Sequence, residues 1–306
     1  MNRFCSGVFL IILALGSSAS AQSSYTFSRI QVPDVIYTLA TSINNRGTIV
    51  GSYSRGDGQQ HAFIARDGQF SDFAVSVAGA TNTSIAALNN REDLVGTYTE
   101  GAGVSHVYVS RRDGSLSTLD ASALGATSVS PSAINDRGDI VGTYADADFI
   151  IHGFLYTRGS FRRFDVTLPG AQNTFPTGIN SRGTIVGTYY TSDGMLHGFV
   201  RTNGRDTSFD EPGSPGAVPV GVSNSGLIVG YATAAGQNTP MPVQHAFVAN
   251  RGVFSDLVPV FPNEPPSPIL FSRGLAINDH GSVLGQSTPT KGAITISFLA
   301  EPIDCD

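Results

Sequence analysis

The sequence predicts an all-β protein, a six-bladed β-propeller of four-stranded blades that closes when the N-terminal strand completes the last blade. Three observations predict this fold. A motif recurs six times, four strand-like segments accompany each recurrence but the last, and the fourth segment missing from the last recurrence is found near the N-terminus. Sheets without covering helices pack on other sheets, and four-stranded repeats of this length are typical of propellers.

The first observation is the motif Ile-Asn-x-x-Gly-x-Ile-Val-Gly-x-Tyr. Its copies start at Ile43, Leu88, Ile134, Ile179, Val222 and Ile277, and their central glycines are Gly51, Gly96, Gly142, Gly187, Gly230 and Gly285. The repeat length is therefore about 45 residues, apart from a longer last interval. An open β-solenoid is the alternative architecture. We expect the glycine to lie where neighbouring blades crowd together.

The second observation is the set of four strands. A short strand ends at the motif's Asn, at Asn44, Asn89, Asn135, Asn180 and Asn278, and a hairpin turn leads to the Ile-Val-Gly strand. A third strand carries His-small-aromatic-aliphatic, with the histidines His61, His106, His152, His197 and His245, and Ile296 in the sixth copy. A turn with Gly then leads to a fourth strand such as Phe70 to Phe73. Glu92 replaces the turn glycine once, so a left-handed backbone there costs about 1 kcal/mol.

The third observation concerns closure. The last repeat stops after its third strand, whereas Phe27-Ser28-Arg29-Ile30 has the form of the fourth strands. We therefore expect Thr26 to Ile30 to pair with Ile294 to Leu299 and to hide the open edges.

The Ile-Asn…Gly-x-Ile-Val-Gly and His-Ala-Phe motifs resemble those of the bacterial extracellular repeat proteins called the HAF family. The resemblance covers residues 27 to 300 and departs at Ile296. It implies export and a repeat propeller, and it brings no catalytic residues.

The N-terminus predicts export. Arg3 precedes the short apolar run Val8 to Leu15, and Ala19-Ser20-Ala21 is an A-x-A cleavage site. The expected division is residues 1–21 as signal peptide, 22–300 as propeller and 301–306 as tail, with the mature chain periplasmic or extracellular. An uncleaved anchor is the alternative. Cys5 leaves with the signal, so Cys305 has no intramolecular partner.

Composition limits the partners. The net charge is −6, only 14% of residues are charged and no basic stripe is present, which argues against nucleic acid. No later segment is long enough to span a membrane. An extracellular protein, a glycan or a small ligand remains as the partner.

Candidate ligand-binding residues lie in loops on one face. They are Asp57, Glu100, Asp146, Asp148, Asp193 and Glu264, the last within the Pro-rich insertion Phe261 to Pro268. A solvated acidic rim explains the acids equally well. No cofactor, metal or catalytic residue is predicted, although Asp146-x-Asp148 is the kind of pair that begins a Ca²⁺ site. The repeated histidines are expected to build the blades. Arg55-Gly56-Asp57 is interpreted as a chance match to a receptor-binding tripeptide on a polar turn.

Three functions are compatible with these residues. The first is a non-catalytic binding or scaffold propeller, favoured by the uniform repeat. The second is a propeller hydrolase or lyase with a site at the channel mouth. The third is a lectin, which the absence of Trp disfavours because it removes the strongest stacking surface.

Overall fold

The computed structural model describes residues 25–57, 59–101, 104–126, 128–214, 216–233, 243–261, 271–288 and 295–303. The regular elements in these ranges are β-strands and one short 3₁₀ helix, Ser122–Leu124. None of the described helices is long and apolar enough to cross a membrane. The predicted signal peptide, Glu264 and Cys305 lie outside the described residues.

The strands follow the sequence repeat. The first strand, β1 (Tyr25–Ile30), precedes it. The first repeat holds β2 (Tyr37–Ile43), β3 (Ile49–Ser54), β4 (His61–Arg66) and β5 (Gln69–Phe73). The second holds β6 (Ala80–Leu88), β7 (Leu94–Glu100), β8 (Val104–Ser110) and β9 (Leu116–Thr118). The third holds β10 (Ser128–Ile134), β11 (Ile140–Ala145), β12 (Ile151–Thr157) and β13 (Ser160–Phe164).

The later repeats keep this order. The fourth holds β14 (Ala171–Ile179), β15 (Ile185–Thr191), β16 (Leu196–Thr202) and β17 (Arg205–Ser208). The fifth holds β18 (Ala217–Val222), β19 (Ile228–Thr233), β20 (Gln244–Asn250) and β21 (Val253–Leu257). The sixth holds three strands, β22 (Phe271–Ile277), β23 (Val283–Thr288) and β24 (Ile296–Pro302).

The sheets are antiparallel within each repeat. The first four repeats form one four-stranded sheet each, and the last two repeats share an eight-stranded sheet that also contains β1. The link between the fifth and sixth repeats in that sheet is one parallel bridge, Gln244 to Phe271. The all-β prediction is confirmed.

The N-terminal strand pairs with the last strand. β1 runs antiparallel to β24, with Thr26 opposite Glu301 and Ile30 opposite Ser297. The predicted partnership is therefore present, but its register is displaced toward the C-terminus, because β24 extends to Pro302. Phe27 covers Phe298 in an edge-on contact with ring centroids 5.7 Å apart.

The mid-strand glycines are crowded by their own repeat rather than by a neighbouring blade, which corrects the sequence expectation. In all six repeats the first strand has a register shift opposite the glycine, as between Ala40 and Ser42 opposite Gly51. A Cβ on Gly51 would collide with the carbonyl oxygen of Leu39 and lie 2.8 Å from the ring of Phe63. The bulge and the buried aromatic ring together leave no room for a side chain.

Apolar cores form between successive repeats. One cluster joins Val95 and Val107 of the second repeat to Ile140 and Phe154 of the third. Another joins Ile43 and Phe63 of the first repeat to Leu284 of the sixth. The second strands are the most buried part of the sheets, and β3 is buried at five of its six residues, as expected for a strand that is covered on both faces.

Candidate functional site

The repeat asparagines link neighbouring repeats at one end of the sheets. Each Oδ1 accepts backbone N–H groups of its own turn, as Asn135 does from Arg137 and Asp139 at 2.9 and 3.0 Å. Each Nδ2 donates to the carbonyl oxygen of the corresponding residue in the next repeat, and Asn278 donates to Asn44 at 3.2 Å. The other links run from Asn44, Asn89, Asn135 and Asn180. The predicted structural role of the asparagines agrees with these contacts and stays a prediction.

The residue after each asparagine, or after Ser223 in the fifth repeat, makes a second set of links. Its backbone N–H donates to the side chain of the next repeat, and the sixth member, Asp279, donates to Asn45 Oδ1 at 2.8 Å. The chain of bonds therefore returns to its start. The other five donors are Asn45, Asn90, Asp136, Ser181 and Asn224.

These residues line a small polar cavity where all six repeats meet. Its volume is about 80 Å³, well below the range of about 300 to 1,000 Å³ that is usual for small-molecule pockets. The carboxylate of Asp136 accepts from the backbone and side chain of Asn90 and from Ser181. Asp279 accepts from Asn224 in the same way and from Asn45. Both carboxylates are thus engaged in holding the ring together.

The repeated histidines contact Tyr rings and carboxylates. The Tyr of the motif lies opposite His in the register of four repeats, and the rings of Tyr53 and His61 stack with centroids 5.1 Å apart. The same contact joins Tyr98 to His106, Tyr144 to His152 and Tyr189 to His197. The predicted structural role of the histidines agrees with these contacts and stays a prediction.

Three of the predicted ligand-binding acids face the histidines of their own repeats. Asp57, Glu100 and Asp146 lie 2.8, 3.4 and 3.0 Å from the Nε2 atoms of His61, His106 and His152. The backbone N–H of Gln59 and then the hydrogen bond with His61 lower the pKa of Asp57. The hydrogen bond with His152 and the N–H of Ile150 lower the pKa of Asp146. These carboxylates are therefore held by internal partners.

The remaining acids do not converge with them. Asp193 accepts from Thr191 and Met195 within its own exposed turn. The backbone N–H of Asp148 donates to Asp146 Oδ1, so one carboxylate oxygen of the suggested Ca²⁺ pair already accepts a hydrogen bond. In the Arg-Gly-Asp tripeptide, Arg55 pairs with Asp72 at 3.3 Å and lies over the ring of Tyr53.

A larger cleft lies between the second and third repeats. Its volume is about 470 Å³, within the range of about 300 to 1,000 Å³ for small-molecule pockets. Both polar and apolar residues line it. The polar residues are Ser105, His106, Thr118, Asp120, Ser122 and Ser128, and the apolar ones are Val107, Leu119, Ala121, Ala126 and Val129.

The cleft lies where the second repeat differs from the third and fourth in the contact made by the Asp after its fourth strand. In the third and fourth repeats, the Asp after the fourth strand bonds the His ring, with Asp165 2.9 Å from His152 Nδ1 and Asp210 3.1 Å from His197 Nδ1. Asp120 occupies the same place in the second repeat, but its carboxylate accepts the N–H of Ser122 at 2.9 Å. That bond holds the start of the 3₁₀ helix, and His106 and Asp120 both line the cleft. The bonds to Ser122 lower the pKa of Asp120.

Sequence reasoning missed this cleft and the residues after the repeat asparagines. The second set had a visible signal, since Asn45, Asn90, Asp136, Ser181, Asn224 and Asp279 are all short polar residues. The sequence carried little signal for the cleft. Asp120 and Asp165 occupy the same place in their repeats, and they differ in the partner that the carboxylate contacts.

The fold of this chain is similar to the folds of β-propeller proteins whose structures have been solved. The β-propeller domain of the Trilobed protease from Pyrococcus furiosus matches with a TM-score of 0.50 and 10% identity over 90% of this chain and 85% of that one. A triple arginine-to-alanine variant of AofleA from Arthrobotrys oligospora matches with a TM-score of 0.51 and 13% identity over 91% and 90%.

A sialidase from Trypanosoma rangeli in complex with sialic acid is also similar. Its TM-score is 0.51 and its identity 7%, over 90% of this chain and 57% of that one. Comparisons with protein-family models and with curated proteins found no match. At these identities the likeness concerns the fold alone.

Proposed function

We propose that the chain is an exported six-bladed β-propeller that acts as a non-catalytic binding module and holds a glycan in the cleft between its second and third repeats. The observation that carries the binding proposal is the cleft of about 470 Å³ lined by His106, Asp120 and four hydroxyl side chains. Sugars present hydroxyl groups and apolar C–H faces, and the cleft offers partners for both.

The proposed blade number is supported by the polar links that line the small cavity where the six repeats meet. Six successive repeats are joined in order, and Asp279 of the last repeat bonds Asn45 of the first. The eight-stranded sheet counts as two blades, because among the described residues a single parallel bridge joins its fifth-repeat and sixth-repeat strands. Pairing of β1 with β24 supplies the fourth strand of the last blade. Export rests on the N-terminal segment, with its short apolar run and A-x-A site.

The alternative is a hydrolase or lyase with its site at the channel mouth. The similarity of the fold to that of a sialidase is the reason to consider this function. The cavity there measures about 80 Å³, and its carboxylates already accept three hydrogen bonds each from neighbouring repeats. A general acid needs a carboxyl group placed toward a substrate, so this arrangement favours a structural role.

Screening the purified protein on a glycan array, followed by calorimetry with the best saccharide, tests the proposal. Asp120→Ala and His106→Ala are expected to weaken binding about tenfold or more, because each removes a hydrogen bond to the ligand. Asp113→Ala is the matched control, since Asp113 is also exposed in the second repeat and accepts the N–H of a Ser two residues on at 2.9 Å.

Equal losses in Asp120→Ala and Asp113→Ala, or the absence of any bound saccharide, would overturn the proposed cleft. Turnover of the bound saccharide that survives Asp120→Ala and disappears in Asp136→Asn would favour the hydrolase instead.

A further inference from the structure

Three metal-ligating side chains meet at the boundary between the fourth and fifth repeats. Glu211 lies in the link after β17, His245 on β20 and Asp256 on the neighbouring strand β21. His245 Nε2 is 2.9 Å from Glu211 Oε2 and 3.7 Å from Asp256 Oδ1, and one ligand atom from each residue lies within 4.8 Å of the others. This cluster is separate from the proposed glycan cleft.

The fifth repeat differs from the others at this point. In the first three repeats a carboxylate at the end of the second strand or in the loop after it faces His Nε2. The corresponding fifth-repeat segment, residues 234 to 243, contains no acid, and Glu211 of the preceding link takes that position. The link therefore reaches across to the His of the next repeat.

The aromatic ring that covers the His elsewhere is also missing. Ala232 lies opposite His245 in the register, where Tyr53 lies opposite His61. In the first repeat, Tyr53 and Arg55 also bond Asp72, the counterpart of Asp256 on the fourth strand. With Ala in place of Tyr, the side chains of the fifth repeat have space to converge on His245.

The charge of the cluster calls for a cation. Two carboxylates beside one imidazole carry two negative charges when the His is neutral. Asp72 is offset by Arg55, but within the described part of the chain no such Arg contact is found for Asp256. Arg273, on β22, bonds Gln244 at 2.6 Å and lies over the rings of Tyr231 and Phe271.

The donor set matches a divalent transition metal. Zn²⁺ binds His nitrogen and carboxylate oxygen at about 2.0 to 2.2 Å in a tetrahedron, which places its ligand atoms about 3.3 Å apart. The distances of 2.9 and 3.7 Å from His245 Nε2 lie on either side of that value. The Asp256 side chain is 62% exposed, so a fourth position is open to water. A nitrogen ligand favours zinc over calcium or magnesium.

We propose that Glu211, His245 and Asp256 form a zinc-type site that clips the fourth-repeat link to the fifth repeat. Its protein ligands come from two sides of the boundary, so binding stabilises the contact between repeats. The site goes beyond the proposed glycan binding and does not depend on it.

Zinc titration of the chelator-treated, tag-free chain by calorimetry tests the site, with Co²⁺ absorption as a report of coordination. We expect one Zn²⁺ per chain and visible bands typical of a four-coordinate Co²⁺ site. Asp256→Asn is expected to weaken binding about 100-fold, since it replaces one of three ligands, a charged carboxylate, with a weaker neutral amide. Asp256 is largely exposed, so this variant is expected to fold.

Asp57→Asn is the matched control, because Asp57 lies 2.8 Å from the Nε2 atom of His61 but forms a pair rather than a cluster of three. Binding in this variant is expected to stay unchanged. The proposal is wrong if zinc does not bind, if Asp256→Asn binds as tightly as the parent chain, or if Asp57→Asn loses as much affinity as Asp256→Asn.

Discussion

At the residue scale, Glu92 shows how one side chain replaces a repeated glycine. Its φ is +65°, in the left-handed region where a residue other than glycine is strained. The side chain is 8% exposed and lies 3.1 Å from Arg66 and 3.4 Å from Arg46, both in the preceding repeat. Burial opposes ionisation, but the hydrogen bonds and charges of the arginines outweigh it and lower the pKa of Glu92. The ion pairs between two repeats offset the backbone strain.

Replacing Glu92 separates these two effects. Glu92→Gln is expected to destabilise the protein by about 1 to 2 kcal/mol at pH 7, since it leaves the arginines without their carboxylate. Glu92→Gly is expected to cost about 1 kcal/mol less than Glu92→Gln, because Gly relieves the left-handed strain. Urea unfolding of the three proteins measures both differences.

The effect of Glu92→Gln is also expected to depend on pH. A carboxyl group with a lowered folded-state pKa stabilises the fold fully above its unfolded value, about 4.3. That stability is lost as the pH falls through the folded value, so the difference between the parent and Glu92→Gln should shrink below about pH 4. A difference that stays constant from pH 7 to pH 3 would show that the charge of Glu92 contributes nothing.

At the element scale, the bulged first strand and the glycine strand form one packing unit. Sequence periodicity was sufficient to predict the four strands of each repeat, because turn residues and apolar runs recur in register. It could not predict the bulge, since a register shift depends on how two strands pair. The reason for the glycine was therefore wrong in the sequence interpretation, although the glycine itself was identified.

Gly142→Ala tests this packing unit. The added Cβ would collide with the carbonyl oxygen of Ser130 and lie 2.7 Å from the ring of Phe154. Overpacking of a core of this kind costs about 3 kcal/mol. Gly159→Asn, on a surface turn of the same repeat, is the control, since nothing lies within 4 Å and Asn tolerates its φ of +80°. Similar melting temperatures for the two variants would contradict the packing account.

At the scale of the whole molecule, the sequence anticipated the fold better than the site. Motifs that recur in register predict strands, turns and the pairing of the two terminal strands, because each further copy is another example of the same pattern. The candidate sites lie where repeats differ, at Asp120 and at Glu211. A single sequence gives no second example of either position, and the partner chosen by each carboxylate depends on loops whose path it does not specify.

The pairing of the termini makes a prediction for the entire molecule. Deletion of residues 22 to 32 removes β1 and exposes the edge of β24, so we expect loss of cooperative unfolding and a tendency to aggregate. Phe27→Ala is a milder change and is expected to cost about 2 kcal/mol, because Phe27 is half-buried against Phe298. Thermal unfolding followed by circular dichroism, with size-exclusion chromatography, measures both effects.

A circular permutant distinguishes strand pairing from a general need for the N-terminal segment. In this permutant, residues 22 to 36 are moved to the C-terminus after a short Gly-Ser linker. The same strand then comes after β24 in the chain and can still pair with it. Because the pairing is antiparallel, β1 would follow β24 as the next strand of a hairpin, as each fourth strand follows the third in the first five repeats. We expect this permutant to regain cooperative unfolding. If it stays unfolded while Phe27→Ala is as stable as the parent, β1 does not complete the last repeat.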